Sequence, residues 1–504
     1  MLARRVATIA GRKTLCPNAR LRTFAARRGL LTLAIETSCD DTSVAIVSKQ
    51  PSGTAKIHFL ENITSNSTKY EGIHPIRALE SHQQHLAKLV DKALRHLPPA
   101  SELESLSEIS LDKIVALPGE IGGVRQKPDF VCATRGPGMR SNLFTGLDTA
   151  KGLSVAWQVP FLGVHHMQAH LLTPRLVYAL PPSSTSNQIP PAVDPSFPFL
   201  SILASGGHTQ IVSSTSLTDH TILAESTDTA LGESLDKAAR VIVPPEALAE
   251  SQTTMYGALL EKFAFPNGPA DYADYKAPAD RHEEIQRAKV VQPSGWSLTV
   301  PYAEKRELAL SFAPLETRVK DIIAGKGEWW GEPGELDETE RRLLAREAMR
   351  VSFEHLASRT ILALEHLCTP PPSVKHPGKI NRKRRQKMRP KPNPGLLPVT
   401  TLVVSGGVAA NAFLMRVLRA HLDARGFGDV QIVAPPPKLC TDNAAMIGWA
   451  GIEMYEAGWR SDLSVRALRK WLLDSEREAK SAKEEEGTGG ILGVGGWVNV
   501  LGRA

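Results

Sequence analysis

Two apolar runs, about 200 residues apart, each end in Ser-Gly-Gly, and this repeated pattern limits the fold of the chain more than any other feature. The first run, FPFLSILASGGHTQIV, precedes the amphipathic segment TALGESLDKAARVI, and the second, TTLVVSGGVAAN, leads into AFLMRVLRAHL. Strands that alternate with amphipathic helices predict an α/β architecture. Glycine lets a phosphate approach backbone N–H groups, so both turns, 205–207 and 405–407, are candidate ligand-binding turns. A β-turn that binds no ligand explains a single Ser-Gly-Gly equally well.

A third β-rich segment, LTLAIETSCDDTSVAIVS from residue 31, predicts a hairpin that opens the first folded unit. Its turn contains three carboxylates, those of Glu36, Asp40 and Asp41. Carboxylates in a turn either perform chemistry or stabilise the turn through hydrogen bonds to its backbone. The residues alone leave these two explanations open.

The segment GVHHMQAHLL places His166 and His170 four residues apart, so on a helix both imidazoles project from one face and can share a metal ion. The same spacing also fits two ordinary polar helix residues that hydrogen-bond to the backbone or to water and bind no metal. His165 cannot share the face of His170. Asp442, in CTDNAAMIGWA, is the candidate third ligand, or alternatively the N-cap of the helix that follows. Two histidines and one carboxylate leave coordination positions open and suit zinc, iron or manganese.

Other common signatures of metal and nucleotide chemistry are missing from the sequence. The zinc-protease motif needs Glu directly after its first His, whereas Met167 and Gln168 follow His166. Neither a P-loop nor a Gly-x-Gly-x-x-Gly segment that opens a helix occurs. A bound nucleotide would therefore need a different phosphate cradle.

The N-terminus has the composition of a targeting segment. Residues 1–30 carry eight Arg and Lys and no acid. The whole chain has a net charge of +7, so residues 31–504 alone have a net charge of about −1. With its short apolar runs, this segment predicts a mitochondrial presequence, and a disordered basic tail is the alternative. No apolar stretch approaches the roughly 20 residues of a membrane-spanning helix. Five scattered cysteines without a Cys-x-x-Cys pair fit a reducing compartment such as the mitochondrial matrix.

Seven segments in a fixed order carry a family resemblance. They resemble the universal tRNA N6-adenosine threonylcarbamoyltransferase family, formerly described as glycoproteases, and with the leader the resemblance extends to its mitochondrial members. The segments span roughly residues 31–455 and read ETSCDDTS, TRGPGMRSNLFTGLDTAKGL, VHHMQAH, SGGHTQ, GESLDKAAR, SGGVAAN and CTDNAAMIGWAG.

The resemblance implies the two-lobed actin-like ATPase fold that sugar kinases and heat-shock chaperone ATPases share, here with inserts. The basic insert, with nine Lys and Arg and no acid in residues 375–391, is either a solvated loop or a contact for RNA phosphates. The expected organisation is a presequence (1–30), a first lobe (31–180), a Pro-rich linker (181–198), a second lobe (199–440) with a basic Pro-rich insert (370–398), a helical segment that returns to the first lobe (441–473) and a charged, Gly-rich tail (474–504).

The resemblance also implies a reaction and its participants. The expected enzyme is a metal-dependent acyltransferase with one divalent ion per subunit. It would move a threonylcarbamoyl group from threonylcarbamoyl-AMP, made by a separate synthase, to the adenosine beside the anticodon of mitochondrial tRNAs that read codons beginning with A. A homodimer without a membrane span is the expected assembly.

By motif position, the resemblance assigns the metal ligands and the adenylate contacts to named residues. In the proposed transfer, Asp40, or less favourably Glu36, is the candidate acceptor of the amine proton. The segment TTMYGALLEKF, which supplies two of the contacts, departs from the Tyr-Pro-Gly-Gly-Pro of the family. The metal ligands are His166, His170 and Asp442, and the adenylate contacts are Leu203, Ala204, Ser205, Gly206, Gly207, His208, Thr209, Asp236, Gly257, Glu261 and Asn411.

Other functions compete with this interpretation. A carbohydrate or carboxylate kinase of the same fold would share the glycine turns but would not need the His166, His170 and Asp442 set. A nucleotide-gated chaperone would need a peptide-binding domain, and the sequence after residue 473 is too short and too polar to supply one. A metalloprotease is the weakest alternative because the general base of its motif is missing.

Overall fold

The computed structural model describes residues 29–67, 70, 73–102, 111–118, 123–181, 194–249, 256–287, 291–292, 295–325, 336–368, 399–475 and 490–502. The expected presequence, apart from its last two residues, lies outside these ranges. So do the basic insert 375–391 and most of the expected Pro-rich linker.

The described chain contains fourteen β-strands and twelve α-helices. The strands are β1 (Leu30–Glu36), β2 (Asp41–Lys49), β3 (Ala55–Thr64), β4 (Ile114–Ala116), β5 (Val124–Gln126), β6 (Phe130–Gly136), β7 (Phe161–His165), β8 (Phe199–Ala204), β9 (Thr209–Ser214), β10 (His220–Glu225), β11 (Thr401–Ser405), β12 (Gln431–Val433), β13 (Trp459–Ser461) and β14 (Trp497–Asn499). The helices are α1 (Pro75–Leu94), α2 (Arg140–Trp157), α3 (His166–Ala179), α4 (Leu231–Ile242), α5 (Pro245–Ala249), α6 (Gly257–Ala264), α7 (Arg281–Arg287), α8 (Ala313–Ile323), α9 (Glu338–Cys368), α10 (Ala412–Ala424), α11 (Pro437–Cys440) and α12 (Ala444–Glu456).

The two largest sheets have five strands each and the same arrangement. The first has the order β3-β2-β1-β6-β7 and the second the order β10-β9-β8-β11-β12. In both, the first three strands along the chain are antiparallel neighbours, and the two later strands lie parallel to the first. The predicted α/β class is therefore confirmed. The predicted hairpin is confirmed as well, with a register that runs from Leu30 opposite Lys49 to Glu36 opposite Ser43.

Helices cover both faces of the first sheet, which explains why β1 is apolar on both sides. Leu33 and Ile35 pack in one cluster with residues of α1 and α2, whereas Ala34 packs on the other face with residues of α3 and α12. Strands buried on both faces read as continuous apolar runs, as this one does. Leu143 and Leu147 of α2 are fully buried against this sheet.

The second sheet packs against a larger set of helices, and the long helix α9 lies in its core. Leu200 and Ile202 of β8 share one cluster with Leu235 of α4, Phe353 of α9 and Val417 of α10. Trp296, in an irregular segment, is fully buried in the same cluster. This packing fixes the positions of α4 and α10, whose first residues lie next to the glycine turns.

The C-terminal region corrects the expectation that the folded part ends near residue 473. Strand β14 pairs antiparallel with β13, and Ile491 is completely buried. The indole N–H groups of Trp471 and Trp497 both donate to the carbonyl of Ile491, at 3.2 and 3.1 Å. Apolar residues within a Gly-rich segment give residues 490–502 a buried core. None of the helices in the described ranges is long and apolar enough to cross a membrane.

Candidate active site

Two histidines stand at the start of helix α3, directly after strand β7. His166 and His170 project from one face, with ring centroids 4.8 Å apart and ring planes nearly perpendicular. His165 is the N-cap residue: its Nδ1 accepts the N–H of Gln168 at 3.3 Å, and its Nε2 lies 3.2 Å from the carbonyl of Trp471. Burial lowers the pKa of His165 to about 3, so this ring is neutral. It points away from the pair, as predicted.

Asp442 brings a carboxylate to the two histidines from the loop before α12. Its Oδ1 lies 3.4 Å from His166 Nε2 and 3.0 Å from His170 Nε2. The N-cap alternative is wrong, because Asn443 caps α12 by accepting the N–H of Met446 at 3.0 Å. The side chain of Asp442 is thereby available to the histidines.

The donor atoms of these three residues have the spacing of a metal site. One ligand atom from each lies within 4.8 Å of the other two. Atoms about 2.1 Å from a tetrahedral ion are about 3.4 Å from one another, close to the separations at Asp442 Oδ1. His170 Nδ1 is buried and has no hydrogen-bond partner among the described residues, so the ring's hydrogen bond there is the one between Nε2 and Asp442. The residues present fit a divalent ion, and their chemistry does not select among zinc, iron and manganese.

Glu36 is fully buried behind His166, a placement that sequence reasoning missed. Its carboxylate accepts the N–H of Ser38 at 2.5 Å and the hydroxyl of Thr134, and lies 3.3 Å from His166 Nδ1. The Ser38 hydroxyl is also 3.3 Å from that nitrogen. Glu36 therefore contacts the His166 ring and is shielded from solvent. Its place at the end of the strand β1 was the available signal, but His166 lies 130 residues further along the chain.

The electrostatics of this cluster favour a positive charge between the buried carboxylate of Glu36 and the partly exposed carboxylate of Asp442. Burial lowers the pKa of His166, but Asp442 and Glu36 outweigh burial and hold that pKa well above its ordinary value. Burial raises the pKa of Asp442, yet His166 and His170 bring it well below the usual range. The pKa of Glu36 is lowered by His166 in the same way, against the effect of burial. Either a protonated histidine or a bound cation satisfies this arrangement.

The two aspartates of the hairpin turn lie beside the cluster and differ in their surroundings. Asp41 accepts the hydroxyl of Thr64 at 2.5 Å, and burial raises its pKa to about 7. Burial also raises the pKa of Asp40, and the negative charge of Asp442 contributes to that shift. The charge of Asp442 raises the pKa of Asp41 as well, so both aspartates lie within electrostatic reach of Asp442. Asp41 also bonds Thr64 across the β2–β3 pair, and Asp40 remains the candidate proton acceptor.

The first Ser-Gly-Gly turn is open toward solvent at its glycines. Ser205 Oγ accepts the N–H groups of Gly207 and His208 at 3.3 and 3.1 Å, which closes the turn. A Cβ on Gly206 or Gly207 would meet no atom within 4 Å. The flanking residues Leu203, Ala204 and Thr209 are buried and form the scaffold of the turn.

The second Ser-Gly-Gly turn lies beside the first and reaches the metal ligands. Gly406 has φ +92°, and a Cβ there would overlap the carbonyl oxygen of Ala204, so this position requires glycine. The hydroxyl of Ser405 donates to the carbonyl of His170 at 2.9 Å. His208, in the first turn, is exposed to solvent, and its pKa is lowered by partial desolvation and by the positive charges of His166 and His170. The glycine turns and the histidine pair therefore form one site.

The four remaining adenylate positions lie around the start of α10. Asn411 caps this helix, and Glu261 Oε1 accepts the N–H groups of Ala412 and Phe413 at 2.9 and 3.3 Å. Asp236 Oδ1 accepts the N–H of Gly257 at 2.7 Å, and burial raises the pKa of Asp236 to about 6. The structure thus pairs Asp236 with Gly257, and Glu261 with the first turn of α10.

Comparisons with known proteins point in one direction. A family model described as tRNA N6-adenosine threonylcarbamoyltransferase matches residues 119–449. The chain is 32% identical over 464 residues to the mitochondrial tRNA N6-adenosine threonylcarbamoyltransferase of Schizosaccharomyces pombe, a match that covers 90% of this chain and 89% of that one. It is 28% identical over 449 residues to the tRNA N6-adenosine threonylcarbamoyltransferase of Methylocapsa acidiphila, with 89% and 97% covered. Among solved structures, YeaZ from Pseudomonas aeruginosa matches 39% of this chain and 66% of its own at 14% identity, and its TM-score of 0.21 supports no conclusion about the fold.

Proposed function

The chain belongs to the tRNA N6-adenosine threonylcarbamoyltransferase family, and from this membership we propose that it transfers the threonylcarbamoyl group of threonylcarbamoyl-AMP to the exocyclic amine of the adenosine next to the anticodon. The substrates would be mitochondrial tRNAs that read codons beginning with A. The observation that carries the proposal is the convergence of His166, His170 and Asp442 beside two glycine turns. Ligating side chains next to glycines that leave room for a ligand to approach the backbone suit a phosphate-bearing substrate.

The proposed reaction is acyl transfer from a mixed anhydride to an amine. A bond forms between the adenine N6 and the carbamoyl carbon, and the bond from that carbon to the phosphate oxygen breaks. The electron pair of the broken bond leaves with AMP, and Asp40 accepts the proton that N6 loses. Glu36 is a positioning residue in this account because it bonds His166 and is buried.

The site addresses the two difficulties of this reaction. The adenine amine is a weak nucleophile because its lone pair is delocalised into the ring, so the enzyme gains rate by holding both substrates in place. His166, His170 and Asp442 would hold one divalent ion, whose chemistry is to neutralise the charge that develops on the departing phosphate. The open glycines of the 205–208 turn would let the AMP phosphate approach the backbone, with Asp236 and Asn411 near the adenosine.

The duplicated sheet arrangement supports the proposal of an actin-like fold with two lobes. The first lobe would comprise residues 31–180 and the second residues 199–440, with the helical segment 441–473 packed on the first. The candidate site lies at the carboxyl ends of the strands in both sheets, where open α/β sheets bind ligands. A homodimer in the mitochondrial matrix, supplied by a separate synthase, completes the proposal.

Reconstitution with purified components tests this function. The protein without residues 1–30 is mixed with threonylcarbamoyl-AMP and an unmodified tRNA transcript, and the nucleosides are analysed by mass spectrometry. We expect N6-threonylcarbamoyladenosine from this transcript and none from a matched transcript that carries guanosine at the target position. If the adenosine stays unmodified and the protein instead phosphorylates an added sugar from ATP, the proposal is wrong and the kinase alternative is favoured.

A further inference from the structure

A short segment after β13 alternates buried apolar side chains with exposed cations. We call residues 465–471 the C-terminal strap. No acid occurs between Asp462 and Asp474, so the exposed face of the strap carries three positive charges. The buried residues are Val465, Ala467, Leu468 and Trp471, and the exposed ones are Arg466, Arg469 and Lys470.

The strap is attached to the first sheet through its main chain. The N–H of Leu468 donates to the carbonyl of Arg135 at 2.8 Å, and the N–H of Gly138 donates to the carbonyl of Arg469 at 3.2 Å. Nε of Arg135 donates to the carbonyl of Arg466 at 3.2 Å. These bonds hold the main chain of the strap in place, and the side chains of Arg466 and Arg469 are exposed. Within the described ranges, neither guanidinium has a carboxylate partner.

The C-terminal end of the strap lies close to the metal ligands. The loop that bonds Arg469 continues to Met139, whose N–H donates to the carbonyl of Ser38 at 2.8 Å. The hydroxyl of Ser38 is 3.3 Å from His166 Nδ1. Two residues further along, the carbonyl of Trp471 accepts a hydrogen bond from His165, the residue before His166. The main chain at 469–471 is therefore close to the candidate site, and Arg469 and Lys470 are its exposed cations.

We propose that the C-terminal strap binds the phosphate backbone of the tRNA that is modified, an inference that rests on the proposed function. Arg466, Arg469 and Lys470 are the contact residues. The chain after residue 30 has a net charge of about −1, so it must attract RNA through local patches. Guanidinium groups bind phosphate oxygens with two parallel hydrogen bonds, and these two are not engaged elsewhere. The strap lies outside the residues 119–449 that match the family model.

A triple variant of the mature protein tests the strap. This variant should bind an unmodified tRNA transcript at least about tenfold more weakly at low salt. It combines the substitutions Arg466→Gln, Arg469→Gln and Lys470→Gln. Filter binding across a potassium chloride series should show a plot of log K against log salt that is shallower by about two, since each lost phosphate contact removes about 0.7 to 0.9. The KM for tRNA should rise while kcat at saturating tRNA stays within about twofold, because none of the three touches the reacting atoms.

A second triple variant, Lys56→Gln with Lys92→Gln and Arg95→Gln, removes the same charge from the far end of the first unit. Lys92 lies ten residues, about 15 Å of helix, beyond His82, which contacts the hairpin turn. We expect this control to bind tRNA like the wild type. Equal weakening in both triple variants, or an unaltered salt slope in the strap variant, would overturn the strap proposal.

The same assay separates the strap from the activity and from the basic insert. If the wild type forms no N6-threonylcarbamoyladenosine, the proposed function fails, whatever the strap variant does. If the wild type is active and deletion of residues 375–391 removes the salt slope that the strap variant retains, the phosphate contact belongs to the insert and the strap proposal is wrong.

Discussion

The two five-stranded sheets share one strand order but carry different groups at the carboxyl ends of their strands. In the first sheet, β1 ends at Glu36, and the helix that begins directly after β7 presents His166, so buried charged side chains meet there. In the second sheet, β8 and β11 end in glycine turns, where a Cβ on Gly206 or Gly207 would meet no atom within 4 Å. One sheet offers ligating side chains, and the other offers open backbone.

This difference shows that the strand arrangement determines where a site forms and the terminal residues determine its chemistry. The hydrogen bond from Ser405 to the carbonyl of His170 joins the two halves. The charge state of the histidines differs as well. His166 of the first unit has a pKa raised by carboxylates, whereas His220, on the edge strand β10 of the second sheet, has a pKa lowered to about 4 by burial.

Removal of the ligating side chains from the first unit should have the largest effect. His166→Ala with His170→Ala leaves only Asp442 of the three ligands, so bound metal and threonylcarbamoyl transfer should both be lost while the far-ultraviolet circular dichroism stays the same. Metal content is measured by plasma mass spectrometry on the purified protein. The control replaces His282 and His366, both exposed, with alanine. One equivalent of metal in the His166 and His170 variant would contradict the metal assignment.

The next largest effect should come from the hairpin turn. If Asp40 accepts the amine proton, Asp40→Asn should lower kcat about 10²-fold or more at unchanged affinity for the adenylate. Burial raises the pKa of Asp40, and the base must be ionised, so the wild-type rate should fall as the pH drops through that raised pKa. The variant should lack this limb of the pH profile.

Asp41→Asn is the matched control in the same turn. Asp41 bonds Thr64 on β3, so its replacement should change kcat less than about tenfold and leave the pH profile in place. A larger loss of kcat with Asp41→Asn than with Asp40→Asn would contradict our assignment, because Asp41 would then be the residue that accepts the proton.

A side chain in the open turn of the second sheet should weaken adenylate binding more than tenfold. Gly207→Val inserts a branched side chain where the protein itself leaves space, so folding should be unaffected. Calorimetric titration with AMP measures the affinity. Gly152→Val, at an exposed helix position where a Cβ also meets no atom within 4 Å, should bind AMP normally. Equal affinities of the two variants would show that the turn is only structural.

The smallest effect concerns stability in acid. Because the folded-state pKa of His220 is lowered from 6.5 to about 4, the unfolded chain takes up a proton below pH 6.5 that the folded protein does not. The free energy of unfolding should therefore fall as the pH drops from about 6.5 to about 4, by roughly 3 kcal/mol in total from this residue. Urea unfolding at pH 7 and pH 5 should show a smaller decrease for His220→Gln than for the wild type. The exposed His282→Gln should match the wild type.

Local patterns in the sequence were sufficient for much of the fold and part of the site. The hairpin from Leu30 to Lys49, the strand ends at both Ser-Gly-Gly turns and the shared face of His166 and His170 all depend on residues close together in the chain. Such features follow from short-range periodicity and turn chemistry.

The features that sequence reasoning missed depend on packing between distant segments. Glu36 supports His166 across 130 positions, and no local pattern indicates that pairing. Asp442 and Asn443 are both good N-cap residues, and only the placement of α12 assigns the cap to Asn443. The sequence does indicate that residues 490–502 fold, since Ile491 and Trp497 are apolar residues within a Gly-rich segment. Their partners, on β13 and at Trp471, lie outside that segment, so no local pattern identifies them.

The most direct test of the central claim is the nucleoside composition of mitochondrial tRNA in cells that lack the protein. Mitochondrial tRNAs that read codons beginning with A are purified, digested and analysed by mass spectrometry, with cytosolic tRNAs from the same cells as the reference. Our account predicts that N6-threonylcarbamoyladenosine disappears from the mitochondrial tRNAs, persists in the cytosolic ones and returns with the wild-type gene but not with the His166→Ala and His170→Ala variant. Unchanged N6-threonylcarbamoyladenosine in the mitochondrial tRNAs would contradict it.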